Sequence, residues 1–219
     1  MEDLNSRIFT ACRTELCGLF PGLNGAFACL PQRDGDKIAT DGSFFYASPE
    51  LPRRYAQDPA AVRRGYLHML LHCLYLHIRV PDKVSPADWG LACDLWVEKF
   101  LEDLEEPRLG TSSEFRAAVL KKIQGTPWQI LEEFPKLPWP RAEIAEAVRF
   151  DDHSLWTPRL PEEIAARWEG FSSSGQGAGF GHRGSRAGSG EEEPQSLGGP
   201  LFDFRRFLRR YTVPAEVLE

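Results

Sequence analysis

The run GYLHMLLHCLYLH, residues 65–77, sets His68 and His72 four positions apart. At about 100° per residue an α-helix brings such a pair to within about 40° of one another and about one turn along the axis, so both imidazoles can reach one ion. This is the spacing of HExxH helices, which bind zinc through two histidines and activate a metal-bound water with the intervening glutamate. Here the glutamate position holds Met69, and a thioether can neither accept nor deliver that proton. His77 falls about 180° from His68 on the same wheel, so it joins the pair only if the helix has ended before it.

Two further places offer ligands. Asp94 and Glu98, again four apart, present two carboxylates on one face of a following helix. Downstream, DDHSLW places Asp151, Asp152 and His153 in a loop before Trp156, a mixture of hard and borderline donors. If the chain hydrolyses anything, the missing base must come from elsewhere, with Glu98 or Asp152 as the alternatives. Cys73 and Cys93 adjoin His72 and Asp94, but helical neighbours point about 100° apart, and both read as small core residues. Tyr46, Tyr66 and Tyr75 read as core with satisfied hydroxyls.

These residues need elements to position them. Leu4, Ile8, Cys12 and Leu16 recur at helical spacing, predicting a first helix over about 3–18. GAFACLPQRD and KIATDGSFFYA flank the turn signal RDGD and predict a β-hairpin over about 25–47. Pro59 opens a helix running to about Ile78, along which Leu67, Leu71, Leu74 and Ile78 form an apolar stripe. Ser85 caps the next helix, with Pro86 at its first position, and that helix runs to about Leu104. Shorter helices are expected at about 111–123, 127–134, 140–149 and 161–169. Residues 171–199 are rich in Gly and Ser and carry an acidic run, which reads as a flexible linker, and 200–219 turns amphipathic again.

At 219 residues, with 42% hydrophobic and 11% aromatic content, the chain suffices for one core and a tail. A net charge of −6 argues against nucleic acid, whose partners carry a basic face; the run Arg205, Arg206, Arg209 and Arg210 reads as a solvated surface. Five cysteines without a CxxC pair, and no signal or membrane-spanning segment, point to a reduced, cytoplasmic setting. Asp41, Gly42 and Ser43 begin a DxSxS-like pattern, but Phe45 occupies its last position.

The ordered set IATDGSFFYASPELPRRY, GYLHMLLHCLYLH, WGLACDLWVE and RFDDHSLW resembles the metallopeptidase-like domain that precedes a VWA-like domain in a group of bacterial proteins. The tail FDFRRFLRRYTVPAEVLE is similar to the helix joining those domains. The resemblance implies an α+β, mostly helical fold with a small zincin-like core, in which a β-hairpin packs on the HxxxH helix. It implies zinc at His68 and His72, with Asp94 and His153 as the matching polar positions. It also implies a MoxR-type AAA+ ATPase partner. The organisation expected from it is a metallopeptidase-like domain over 1–170, the linker, and a helix over 200–219 leading to a VWA-like domain that this chain lacks. Two functions follow as expectations: a non-catalytic metal-binding scaffold or adaptor, because of Met69, or a metal-dependent peptidase acting on polypeptides with a base from another residue.

Overall fold

A computed structural model describes residues 3–174. The expected linker beyond Ser174, with the histidine it contains at His182, the C-terminal helix and the arginine run lie outside the described residues.

Helix α1 (Leu4–Leu19) buries Ile8, Cys12 and Leu16, as its periodicity predicts. After a 3₁₀ turn at Pro21–Leu23 comes a short helix, α2 (Asn24–Ala28). This corrects the expected hairpin, because the GAFA stretch is helical and buries Ala26 and Phe27. Strands β1 (Gln32–Asp34), β2 (Ala39–Thr40) and β3 (Phe45–Ala47) form one sheet in the order β1-β3-β2. Only β2 and β3 are antiparallel; β1 pairs parallel to β3 on its other side. Asp41, rejected as a metal motif, closes the β2–β3 turn by accepting from the Ser43 and Phe44 amides at 2.7 and 3.0 Å and from the Tyr46 hydroxyl at 2.9 Å.

A helix that the periodicity did not announce, α3 (Leu51–Gln57), leads into α4 (Pro59–Leu74), which carries the two histidines. The Asp58 side chain caps α4 by accepting from the Ala61 amide at 2.9 Å, and Pro59 sits in the first turn, where its missing N–H costs nothing. Every residue of α4 from Arg64 to Leu74 is buried. Such a helix is enclosed on all sides, so its polar side chains must find partners inside the protein. Phe45 of the sheet packs edge-on against Tyr66 at 5.2 Å, and Thr40 Oγ1 lies 3.7 Å from Cys73 Sγ.

Helix α4 stops four residues before the expected Ile78. Leu76 takes a left-handed φ of 55°, and the His77 amide reaches back to the His72 carbonyl at 2.9 Å. Helix α5 (Pro86–Glu102) starts where Ser85 accepts from the Asp88 amide. It serves two apolar clusters: Trp89, Cys93, Val97 and Phe100 join the core around α1, α4 and the sheet, while Leu91, Ala92 and Leu95 join a smaller one. The smaller cluster is completed from α6 (Glu114–Leu120), α7 (Pro127–Glu133) and α8 (Arg141–Val148). Helix α9 (Glu162–Ser174) runs past the expected end at 169 and takes in the first residues assigned to the linker. Its Trp168 is fully buried and donates to the Gly42 carbonyl at 2.8 Å. The architecture is α+β, dominated by helix, as expected. No helix among the described residues is long and apolar enough to cross a membrane.

Candidate metal centre

Helices α4 and α5 cross so that His68, His72 and Asp94 face one another, and all three side chains are completely buried. The i, i+4 spacing works as the wheel predicts, and the two Nε2 atoms lie 2.7 Å apart. At that distance the two rings share a proton in an N–H···N hydrogen bond, with one nitrogen donating and the other accepting. Asp94 Oδ1 is 3.2 Å from His68 Nε2 and 3.3 Å from His72 Nε2.

The fourth group comes from the segment between α8 and α9. The Asp152 amide donates to the Ile38 carbonyl at 2.8 Å, and Asp152 pairs with Ala39 in a parallel bridge that covers the outer edge of β2. Alternate residues of such an extended stretch point to opposite sides. Asp151 and His153 accordingly turn inward, while Asp152 turns outward to Lys37 Nζ at 2.8 Å and to the Ser154 amide at 2.9 Å. Asp151 Oδ1 lies 3.7 Å from His68 Nε2.

His68, His72, Asp94 and Asp151 each offer one ligand atom, all within 4.8 Å of one another, and the four can hold a metal ion. A tetrahedral site with bonds of about 2.1 Å has ligand–ligand edges of about 3.4 Å, close to the separations between 3.2 and 3.7 Å that three of the contacts show, while the imidazole pair at 2.7 Å has to open by some tenths of an ångström to admit an ion. The donor set fits chemically as well. Asp94 Oδ2 and both oxygens of Asp151 are buried without a hydrogen-bond partner, a costly state for carboxylates unless a cation compensates them. Two carboxylates and a dication are neutral together.

His153 was expected among the ligands, and the structure brings its buried, unpaired Nε2 to the edge of this quartet, within ligand–ligand distance of both carboxylates. Its Nε2 approaches Asp94 Oδ1 at 3.2 Å and Asp151 Oδ1 at 3.4 Å, yet makes no hydrogen bond. Its ring stacks on Trp156 with centroids 3.7 Å apart. Asp151 joins the expected residues as a further candidate ligand. The signal was available, since Asp151 and His153 must share a side of any extended segment, but strand pairing of a loop beside β2 has no local signature.

The outer contacts fix the imidazoles. Glu98 Oε1 lies 2.8 Å from His68 Nδ1, so that nitrogen carries the proton and Nε2 is left to bind. Glu98 Oε2 accepts from Arg64 Nε at 2.9 Å. Behind His72, the early end of α4 lets His77 fold back until its Nδ1 is 3.1 Å from His72 Nδ1. With His72 binding through Nε2, its Nδ1–H donates to a neutral His77. Trp89 Nε1 holds this turn by donating to the His77 carbonyl at 2.7 Å.

Without a metal the cluster stores protons. Burial opposes charge on His68, but hydrogen bonds to Asp94 and Glu98 prevail and raise it to about 9. Burial likewise opposes charge on His153, and the carboxylates of Asp94 and Asp151 raise it to about 10. Burial and the neighbouring His68 lower His72 to about 4, and burial keeps His77 well below its usual value.

Neither alternative base points into the centre. Glu98 spends its oxygens on His68 and Arg64, and Asp152 faces Lys37. Met69 is fully buried in the apolar core. Cys73 and Cys93 are buried free thiols, both raised chiefly by burial, Cys73 to about 12.

No family model, curated protein or solved structure matches the chain.

Proposed function

We propose that the chain is a metallopeptidase-like domain that holds one divalent ion at His68, His72, Asp94 and Asp151 and uses it for structure rather than hydrolysis. The observation that carries this reading is the set of buried carboxylate oxygens without partners, gathered around two imidazoles whose outer nitrogens are already engaged. Two borderline and two hard ligands gathered within reach of one ion fit zinc. A hydrolytic zinc keeps a position for water beside three protein ligands, whereas four protein ligands close the site; Met69 in place of a base favours the closed form. In this reading the domain is a scaffold or adaptor for a MoxR-type AAA+ ATPase, a partner supported by the motif resemblance to the VWA-like proteins.

Elemental analysis of the purified protein tests the centre. About one zinc per chain is expected, and the His68→Ala/His72→Ala variant should hold none. Equal metal in both proteins would refute the assignment.

A further inference from the structure

Two glycines on the ligand helices face the segment that brings in Asp151. Gly65 lies three residues before His68 on α4, and Gly90 lies four before Asp94 on α5, so each shares a helix face with a ligand. Both are buried. A methyl group on Gly65 would overlap the Phe150 ring. One on Gly90 would strike His153 Nδ1 and stand 3.3 Å from its Cε1. Phe150 and His153 bracket Asp151 in sequence, and each rests where a helix has no side chain.

We propose that Gly65 and Gly90 are positioning residues of the metal centre, bare notches that seat Phe150 and His153 and so press Asp151 onto the ion. The inference rests on the metal reading above. Nothing in helix formation explains these glycines, because glycine weakens a helix interior relative to alanine. Both have helical neighbours on either side, and neither has the positive φ that requires glycine at Gly42, Gly110 and Gly125. What they supply is close approach. The sheet side fixes the same segment through the Asp152 amide, so the chain at 150–153 is held from three directions and cannot retreat from a new methyl group without moving Asp151. His153 is held in place by Trp156 stacked on its ring at 3.7 Å.

The sign of the alanine effect makes this testable. Gly170, in α9, has nothing within 4 Å of an added methyl, so Gly170→Ala should raise Tm slightly and leave metal affinity alone. Gly65→Ala and Gly90→Ala should instead weaken Co²⁺ binding to the full chain by tenfold or more and alter the intensity of its visible bands, which report coordination geometry. Trimming the ring that fills the notch, in Gly65→Ala/Phe150→Leu, should recover most of the lost affinity. This double variant also decides the matter if Gly65→Ala alone does not fold. Wild-type affinity and spectrum in both single variants, or a double variant no better than Gly65→Ala, would overturn the role of the notches. A wild-type chain that binds neither Co²⁺ nor Zn²⁺ would instead remove the metal reading, and the inference with it.

Discussion

Glu98 Oε1 stands 2.8 Å from His68 Nδ1, on the side of the imidazole turned away from the centre, while His68 Nε2 stands 3.2 Å from Asp94 Oδ1. The same helix thus supplies both the carboxylate on the inner side of the candidate centre and the one that orients the histidine from behind. Arg64, itself buried, holds Glu98 from α4, and Arg116 approaches at 3.4 Å.

Glu98→Ala should therefore weaken zinc binding by about 10- to 100-fold, the usual effect of losing the group that orients a histidine ligand. Glu98→Gln keeps an acceptor for the Nδ1 proton and should lose less. Competition with a chromophoric chelator measures both, and equal, unchanged affinities would show that Glu98 serves only Arg64.

Metal binding should release protons. In the metal-free protein His68 titrates at about 9 and His153 at about 10, so both are charged at pH 7, whereas His72, at about 4, is already neutral. A dication needs the His68 lone pair and repels the charge on His153, so about two protons should leave per ion bound near pH 7. Affinity should then fall as pH falls, by about 100-fold per unit while both groups stay charged. Titration calorimetry in buffers of different ionisation enthalpy reads the number directly. Enthalpies independent of buffer would contradict it.

Neighbouring aspartates should behave oppositely. Asp151→Asn removes a ligand and should abolish stoichiometric zinc. Asp152→Asn loses a pair with Lys37 whose side chains are 62% and 33% exposed, of a kind worth about 1 kcal/mol or less, and should keep its metal. With zinc at about 100 times its Kd, the wild type and Asp152→Asn should gain about 2.7 kcal/mol from binding, or roughly 5–10 °C in Tm. Asp151→Asn should gain almost nothing. Zinc retained by Asp151→Asn and lost by Asp152→Asn would reverse the register of the segment at β2.

The contrast between those two residues shows what the sequence made legible. The histidine pair, the Asp94 face and the helix starts at Pro59, Ser85 and Pro86 depend on helical spacing and local backbone geometry, and each lies where the pattern puts it; the Asp58 cap was not among those readings. Asp151 depends on a bridge between residues 39 and 152, whose partners are far apart in the chain. His77 was hidden for a related reason: the wheel places it opposite His68, and only a left-handed Leu76 ends the helix in time to turn it inward. The helical GAFA stretch was misread because a short apolar run suits a strand as well as one turn of buried helix.

Met69→Glu is the informative substitution for activity. In an open HExxH site a carboxylate there would restore the base, whereas here position 69 is fully buried among apolar side chains. A glutamate in that position has no cation to face and should cost several kcal/mol, a large part of the stability of an ordinary domain. Burial should also raise its folded-state pKa above the unfolded value of about 4.3, so the neutral form is the one tolerated. The sign follows: the unfolded state sheds this proton first as pH rises, so the deficit relative to wild type is smallest in acid and grows above about pH 4. The gap in Tm between wild type and Met69→Glu should widen from pH 5 to pH 8. Neither protein should cleave unfolded polypeptide in a chelator-sensitive manner, because loss of the base alone removes about 10²- to 10⁴-fold in rate and a site closed by four protein ligands has no water to activate. A Met69→Glu protein as stable as wild type at pH 8, with hydrolysis that EDTA abolishes, would show that position 69 faces an open, water-bearing metal and that the closed reading is wrong.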